Sequence, residues 1–262
     1  MNFDCIILAG GKSTRLGVDK AMIHFQGATL LNNLVKTVSQ FSNHVIVVSK
    51  DTNHHKPNTN NVQEESALGP LNGLLNGLKK SNNEWSLVLS VDMPFLDLSK
   101  LVEDLEKTLN DNIIAAIPIN NNKKQFLAGF YHKRAISIIE YLIASQQFAM
   151  KSLFETNNEF VELVDSSNNF ANLNQIQDIH NENLSLVEVM SFGRIQELFK
   201  LHKQSVLTLS RTVHDFQIEL EKDYPFLKDT TYSIAVNQNI ENPNHGIKSG
   251  DVIALLPPFA GG

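Results

Sequence analysis

The chain has 262 residues, a length that fits one large domain or two smaller ones. Apolar residues make up 42% of the chain and charged residues 19%, which is enough to build an ordinary core, and the net charge of −6 argues against a nucleic-acid partner. A single cysteine excludes an internal disulfide. The sequence shows neither a signal-peptide pattern nor an apolar run of membrane-spanning length, so we expect a cytoplasmic protein with no membrane partner.

The first part of the chain alternates strand and helix patterns. Short apolar runs predict strands at residues 5–8, 45–48, 87–91 and 113–117, and apolar residues at helical spacing predict helices at 30–38, 70–78 and 101–109. Strands separated by helices of this length pair in parallel through right-handed crossovers. We therefore predict a doubly wound, mostly parallel Rossmann-like α/β sheet, which binds ligands beyond the carboxyl ends of its strands.

The pattern changes after the polar, Asn-rich residues 178–184. Strands are then predicted at 187–192, 206–209, 234–236 and 252–256. One helix begins after Thr212, which with Asp215 three residues on has the pattern of a capping box, and ends near Tyr224 because Pro225 follows. This arrangement predicts a small α+β unit. We place the domains at residues 1–182 and 185–262.

A glycine-rich, basic loop directly follows the first predicted strand. Gly10 and Gly11 let the backbone approach a polyphosphate closely, with N–H groups turned toward it. Lys12, Arg15 and Lys20 add positive charge to the same loop. Three cations within nine residues favour phosphate binding over a merely solvated turn.

Two common nucleotide motifs are excluded at this loop. A Walker P-loop needs a glycine five residues before Gly11, where the chain has Ile6, and the GxGxxG pattern of dinucleotide-binding loops is missing. The sequence therefore supports neither a P-loop ATPase nor a dehydrogenase.

The loop instead resembles the signature of nucleotidyltransferases that activate sugars and cofactors. It is most similar to the molybdenum cofactor guanylyltransferases, whose loop ends in Gly-x-Asp-Lys, here Gly17-Val18-Asp19-Lys20. Further segments similar to those of the family follow in the same order: Glu64-Glu65-Ser66, Gly69-Pro70-Leu71-Asn72-Gly73, Ser90-Val91-Asp92-Met93-Pro94 and Asn172-Leu173-Asn174. The resemblance spans roughly residues 4–177 and is specific as a set.

The resemblance implies that GMP is transferred from GTP to the phosphate of (molybdo)molybdopterin, with release of pyrophosphate. Lys12, Arg15 and Lys20 would neutralise the phosphates, and Asp92 would hold Mg²⁺, a hard cation suited to carboxylate and phosphate oxygens. These four are the expected catalytic residues of the first domain. Such a reaction depends on positioning and charge neutralisation rather than on a covalent nucleophile.

The remaining binding residues are also taken from the resemblance. The backbone of the loop would bind the guanine nucleotide, through Leu8, Ala9, Gly10 and Gly11. Glu65 would contact the nucleotide, and Asn172 and Asn174 would contact the pterin phosphate. We expect Cys5 to pack inside the first strand without an essential role, and His54-His55 to lie in an exposed loop.

The end of the sequence forms a second motif. The last predicted strand runs into Pro257-Pro258, which cannot continue a sheet interior, and Gly261-Gly262 follow. Residues 187–262 resemble the small subunit of molybdopterin synthase, a ubiquitin-like β-grasp sulfur carrier. The matching parts are the opening strand, the segment Ala235-Val236-Asn237-Gln238 and the closing Gly-Asp…Pro-Pro…Gly-Gly.

This second resemblance implies a role for the Gly262 carboxylate. A separate activating enzyme would adenylate it, the acyl group would become a thiocarboxylate, and its sulfur would pass to the pterin precursor within the large synthase subunit. The carrier stands last in the fusion, an order that we expect to leave this carboxylate free.

Three alternatives stay open at this point. The first domain could be a cytidylyltransferase acting on the same pterin, or a sugar-phosphate nucleotidyltransferase. The chain could also be a sulfur carrier whose first domain has lost its activity, although the presence of Lys12, Arg15, Lys20 and Asp92 disfavours that interpretation.

Overall fold

The computed structural model describes residues 1–10, 16–64, 68–156, 161–199 and 202–258. The chain divides into two compact units. The first unit combines Met1–Lys12 with Leu31–Asn172, and the second combines Ser13–Leu30 with Leu173–Gly262. The domain boundary that we place between residues 182 and 185 stays a prediction.

The strands, in chain order, are β1 (Asp4–Leu8), β2 (His24–Phe25), β3 (Ala28–Thr29), β4 (Val45–Ser49), β5 (Asn60–Gln63), β6 (Trp85–Ser90), β7 (Ala115–Asn120), β8 (Lys123–Lys124), β9 (Ala128–His132), β10 (Val161–Asp165), β11 (Ser185–Ser191), β12 (Lys203–Thr208), β13 (Ser233–Val236), β14 (Asn239–Ile240) and β15 (Val252–Leu256). The α-helices are α1 (Leu30–Val38), α2 (Pro70–Lys80), α3 (Leu98–Glu106), α4 (Ala135–Ala144), α5 (Met150–Thr156), α6 (Ile176–Asn181), α7 (Gly193–Phe199) and α8 (Val213–Asp223).

The first unit is built on one mostly parallel sheet. Its strand order is β10-β7-β9-β6-β1-β4-β5, with β8 paired to β7. Strand β1 is parallel to both β4 and β6, which confirms the predicted α/β sheet. Strand β7 does not pair with β6, because the unpredicted β9 lies between them and is antiparallel to both.

Two central strands of the first unit are fully buried, which explains their continuous apolar runs in the sequence. Every residue of β1 and of β4 is buried, as expected for parallel strands covered on both faces. Helix α2 packs closely on the sheet at Gly77. A Cβ added to this glycine would lie only 2.6 Å from Ile6 Cγ2, so a side chain would not fit there. Pro70 occupies the start of this helix, where its missing N–H costs no hydrogen bond.

The second unit is a mixed sheet covered by one main helix. Its strand order is β14-β13-β15-β11-β12-β2-β3. Strands β11 and β15 are parallel neighbours at its centre, and β12 and β13 are antiparallel to them on either side. Helix α8 contributes Phe216 and Leu220 to the core, together with Ile253 of β15. This is the predicted β-grasp arrangement.

Three short strands of this sheet, β2, β3 and β14, were not predicted. Strands β2 and β3 form a hairpin at residues 24–29, and His24 pairs with Val206 of β12 in parallel. Residues from the beginning of the sequence therefore extend the sheet of the second unit. In the part of the chain that the structure describes, no helix combines the length and apolar character needed to cross a bilayer.

Candidate functional sites

The carboxyl end of β1 leads into the glycine-rich loop. Leu8 and Ala9 are buried, and the Ala9 N–H donates to Val48 O at 2.9 Å, which fixes the last part of the strand. Gly10 is exposed, and a Cβ on it would lie 3.2 Å from a Glu64 carboxylate oxygen. The predicted ligands Gly11, Lys12 and Arg15 lie outside the described residues.

Glu64 is a candidate residue that the sequence interpretation missed. It directly follows β5, its N–H donates to Ser49 O at 2.9 Å, and its Oε1 accepts from Asn72 Nδ2 at 2.9 Å. Burial raises the pKa of the Glu64 carboxyl, although the Asn72 hydrogen bond and the Lys50 charge oppose that shift. The sequence interpretation chose Glu65, which lies outside the described residues. No strand was predicted before Glu64, so only the structure, in which β5 ends at Gln63, singles this residue out.

Asp92 lies at the same edge of the sheet as the Gly10 backbone. Strands β1 and β6 are parallel neighbours with Leu8 opposite Ser90, and the chain continues two residues from there to Gly10 and to Asp92. Neighbouring strands lie about 4.8 Å apart. The Gly10 backbone and the half-buried Asp92 carboxylate therefore follow the ends of two adjacent strands. This edge is where ligands bind in open α/β sheets.

Lys20 and Asn174 both belong to the second unit and contact each other. Lys20 Nζ donates to Asn174 Oδ1 at 2.5 Å. Lys20 begins a 3-10 helix, Lys20–Met22, that is capped by the Asp19 carboxylate. Asn174 also donates its N–H to Asp178 Oδ2 at 2.9 Å. Asn172, in the first unit, donates to Phe170 O at 3.2 Å, and the pterin contacts of both asparagines stay predictions.

Two other expectations concern residues near β1 and β4. The expected exposed loop at His54 is wrong, because this side chain is only 4% exposed and its Nδ1 lies 2.5 Å from Ser49 Oγ. A 3-10 turn capped by Asp51 folds it back toward β4. Cys5 is buried in β1 as expected, and burial raises the pKa of its thiol to about 12, so the thiol stays protonated and weakly nucleophilic.

A buried aspartate connects the Ala-Val-Asn-Gln and Gly-Asp motifs of the second unit. Asp251, which immediately precedes β15, accepts from Asn237 Nδ2 and from the Lys248 N–H, both at 2.9 Å. Asn237 in turn accepts from the Val252 N–H at 3.0 Å. The Ala-Val-Asn-Gln and Gly-Asp segments therefore set the register of β15 against β13.

Strand β15 lies between β11 and β13 and ends at Leu256. Pro257 packs near Gly193, where a Cβ would lie 3.1 Å from Pro257 Cγ, and Pro258 is exposed. The direction of the strand thus carries the chain out of the sheet through the two prolines. Gly262, the predicted reactive residue of this unit, lies outside the described residues.

Comparison with known proteins identifies both parts of the chain. The model of the MobA-like NTP transferase domain matches residues 5–160, and that of the ThiS family matches residues 189–262. A probable molybdenum cofactor guanylyltransferase of Halalkalibacterium halodurans is 30% identical over 188 residues, which cover 66% of this chain and 94% of that protein. A protein of the same description from Nostoc sp. is 32% identical over 149 residues, covering 54% and 72%.

A solved structure shows the same fold. The molybdopterin-guanine dinucleotide biosynthesis protein A of Archaeoglobus fulgidus superposes with a TM-score of 0.56 at 18% identity, covering 68% of this chain and 96% of that one. The chain therefore belongs to the MobA-like NTP transferase family and carries a ThiS-family domain after the transferase domain.

Proposed function

We propose that this protein transfers GMP from GTP to the terminal phosphate of molybdopterin and releases pyrophosphate. The observation that carries the proposal is that Gly10 and Asp92 follow the ends of the adjacent parallel strands β1 and β6. The relatives described as molybdenum cofactor guanylyltransferases supply the substrate class. We place the reaction in the cytoplasm, with no nucleic acid or membrane involved.

In the proposed reaction, a pterin phosphate oxygen attacks the α-phosphorus of GTP in line as the bond to pyrophosphate breaks. The exposed glycine backbone can approach the phosphates closely, and Lys12, Arg15 and Lys20 would balance their charge. Asp92 offers a half-buried carboxylate after the strand that neighbours β1, and a carboxylate is a donor that fits Mg²⁺. When bound, Mg²⁺ supplies further neutralisation of the phosphate oxygens.

Replacement of Asp92 tests this proposal. We expect Asp92→Asn to lower the Mg²⁺-dependent kcat for pyrophosphate release by about 10²–10³-fold, because a preorganised charge at the reacting phosphates is lost. The matched control is Asp111→Asn, the same change at an exposed turn of the same unit, which should leave the rate unchanged. Equal rates for both variants and the wild type would exclude Asp92 from the reaction.

The identity of the base is tested separately. Purified protein is given GTP and CTP together with molybdopterin, and the nucleotide incorporated into the product is identified. We expect GMP to be incorporated. Incorporation of CMP would favour the cytidylyltransferase alternative, and turnover with a sugar phosphate instead of the pterin would favour the sugar-phosphate alternative.

We propose a second activity for residues 185–262, that of a sulfur carrier for molybdopterin synthase. A separate activating enzyme would adenylate the Gly262 carboxylate from ATP with release of pyrophosphate, and sulfur from a sulfide-level donor would then displace AMP to give the thiocarboxylate. Its sulfur would then pass to the pterin precursor within the large synthase subunit. The match to the ThiS family and the exit of the chain from β15 through Pro257-Pro258 support this role.

Deletion of Gly261-Gly262 tests the carrier role. The wild-type protein, purified from cells that assemble the cofactor, should contain a species heavier by one oxygen-to-sulfur exchange at its C-terminal peptide. The deletion should abolish that species and sulfur transfer, yet leave pyrophosphate release from GTP unchanged. Loss of both activities would contradict the assignment of two separate reactions, and sulfur transfer without GTP turnover in the wild type would support the inactive-transferase alternative.

A further inference from the structure

The sheet of the second unit is assembled from two parts of the sequence that lie far apart. Strands β11 to β15 come from residues 185–256, whereas β2 and β3 come from residues 24–29. All residues between 31 and 172 belong to the first unit. The second unit is therefore discontinuous in sequence, and residues 185–262 do not contain its whole sheet.

The β2–β3 hairpin has a turn geometry that suits its strands. The turn residues Gln26 and Gly27 have φ values of 53° and 80°, so both lie in the left-handed region that a two-residue type I′ turn requires. Phe25 pairs with Ala28 across this turn, and the Phe25 side chain is buried. The turn therefore matches the twist of the two strands that it joins.

The hairpin contacts both a strand and the main helix of the second unit. His24 pairs with Val206 of β12 in parallel, and its Nδ1 lies 3.1 Å from the hydroxyl of Tyr224, at the end of α8. The Gly27 N–H donates to the Asp223 carboxylate, and a Cβ added to Gly27 would lie only 3.3 Å from Asp223 Cβ. The hairpin is therefore held from two sides.

The hairpin also changes the edge of the sheet. Strand β12 has six residues, and without β2 it would be the outermost strand, with unpaired backbone groups. With the hairpin in place, the sheet ends at β3 on one side and at β14 on the other, each of two residues. Very short edge strands are one way in which proteins prevent pairing with other chains. The hairpin therefore lies where a strand of another molecule would otherwise add.

We propose that residues 24–29 are a working part of the sulfur carrier: they are the partner of the β12 edge, and the carrier acts while attached to them instead of being released as a separate protein. The attachment itself does not depend on the chemistry of the carrier, whereas the second half of the inference rests on the proposed carrier role. A cut before residue 185 would leave both pieces of the chain bound together through the second unit.

Specific cleavage of the full chain tests the attachment. A protease recognition site is inserted between Glu182 and Asn183, in the turn that follows α6, and the cut protein is passed over a gel-filtration column at decreasing concentrations. We expect the fragments of residues 1–182 and 183–262 to elute together, because the first fragment carries the hairpin. Separate elution of the wild-type fragments at every concentration would overturn the proposal.

A pair of glycine variants of the cut protein assigns the association to the hairpin. Gly27→Ala places a Cβ against Asp223, whereas its control Gly17→Ala adds a Cβ at a similar φ of +71° with no atom within 4 Å. We expect Gly27→Ala to weaken the association of the fragments about 5–50-fold, an effect typical of overpacking at a close contact. Gly17→Ala should leave the association unchanged.

A pair of tyrosine variants tests the second contact. Tyr224→Phe removes the hydroxyl next to His24 and should weaken the association about 2–10-fold, the equivalent of one hydrogen bond. Its control, Tyr232→Phe, removes a hydroxyl that donates to Glu221 at 3.1 Å within the second fragment, and should have no effect. Equal association within both pairs of variants would show that the hairpin does not hold the fragments together, and would overturn the proposal.

The state in which the carrier works is tested on protein purified from cells that assemble the cofactor. We expect the species heavier by one oxygen-to-sulfur exchange to be the uncut chain. An exchange found only on a shorter fragment without residues 24–29 would overturn the attached state and leave the carrier role intact. Absence of the exchange from every species would overturn the carrier role and this half of the inference, while the association of the cut fragments decides the role of the hairpin independently.

Discussion

Strands β1 and β15 each lie inside a sheet and each lead toward a glycine-rich segment, but they are buried differently. All five residues of β1 are buried, whereas buried and half-buried residues alternate along β15. The first pattern is typical of a parallel strand covered on both faces, and the second of a sheet with one face in the core. The two strands therefore pack in different ways, although a Gly-Gly pair follows each of them in the sequence.

The difference also separates two kinds of function. The end of β1 lies beside the ends of β4 and β6, so several loops can converge on one small ligand at a rigid edge. At the end of β15, by contrast, a single chain leaves the sheet through two prolines. A fixed edge suits a reaction between small molecules, and a chain that leaves its sheet at Pro257 suits the carrier role that we propose for residues 185–262.

The largest expected effect tests whether the two units have independent cores. Phe216 is fully buried in the second unit, and Phe216→Ala should destabilise that unit by about 3–5 kcal/mol through lost burial and a residual cavity. Amide hydrogen exchange should quicken in β11 and β15 but not in β4 and β6. Leu74→Ala, in the core of the first unit, should give the opposite pattern. Equal destabilisation of both units by either variant would show that the two cores are not independent.

A buried carboxylate at the start of β1 gives the first unit a distinct pH dependence. Asp4 is fully buried and accepts hydrogen bonds from the Asn83 N–H at 3.0 Å and Asn83 Nδ2 at 2.6 Å, as well as from the Asn82 N–H. Burial alone would raise the pKa of Asp4, but these hydrogen bonds, with a further one from His44, lower it overall. Because the folded-state pKa is depressed, the stabilisation is present above the ordinary value of 3.8 and is lost as pH falls below it.

Asp4→Asn should therefore cost the first unit about 1.5–3 kcal/mol at pH 7, the range for hydrogen bonds to a charged group. It should also flatten the loss of stability in acid. Urea unfolding followed by hydrogen exchange in β1 and β6 at neutral and acid pH measures both effects. The exposed Asp111→Asn serves as the control, and an acid dependence equal in Asp4→Asn and wild type would exclude this explanation.

The sequence predicts the elements whose stability is local or whose pattern is strong. The apolar period of α2 and the Thr212 start of α8 are recovered to within a few residues. Strand β9 is missed because the expectation of strand–helix alternation left no place for a strand so soon after β7. Strands β2 and β3 are only two residues each, too short for a sequence pattern, and β2 pairs with β12, a strand far along the sequence.

The candidate nucleotide site was predictable only in part for a similar reason. The sequence places Gly10 and Asp92 at the ends of strands, but their proximity depends on β6 lying next to β1. That order is set by packing across the whole sheet and not by the residues between them. In the same way, Glu64 becomes a candidate only once β5 is seen to end at Gln63.

The smallest expected effect concerns how the two units begin their helices. Helix α2 starts with Gly69-Pro70, which offers no capping side chain, whereas Thr212 caps α8 by accepting from the Asp215 N–H at 3.2 Å and donating to Asp215 Oδ2 at 2.7 Å. Thr212→Ala should cost the second unit about 1 kcal/mol, because an orphan N–H loses its partner.

The matched control is Thr37→Ala in α1, where the hydroxyl donates to Asn33 O, a carbonyl one turn earlier in the same helix. That hydroxyl satisfies no orphan group at a helix end, so its loss should change stability by much less. Thermal or urea unfolding of both variants, with hydrogen exchange to assign the affected unit, measures the difference. An equal cost for both threonines would mean that the cap is not what starts α8, and that the packing of Phe216 against the sheet suffices to form the helix.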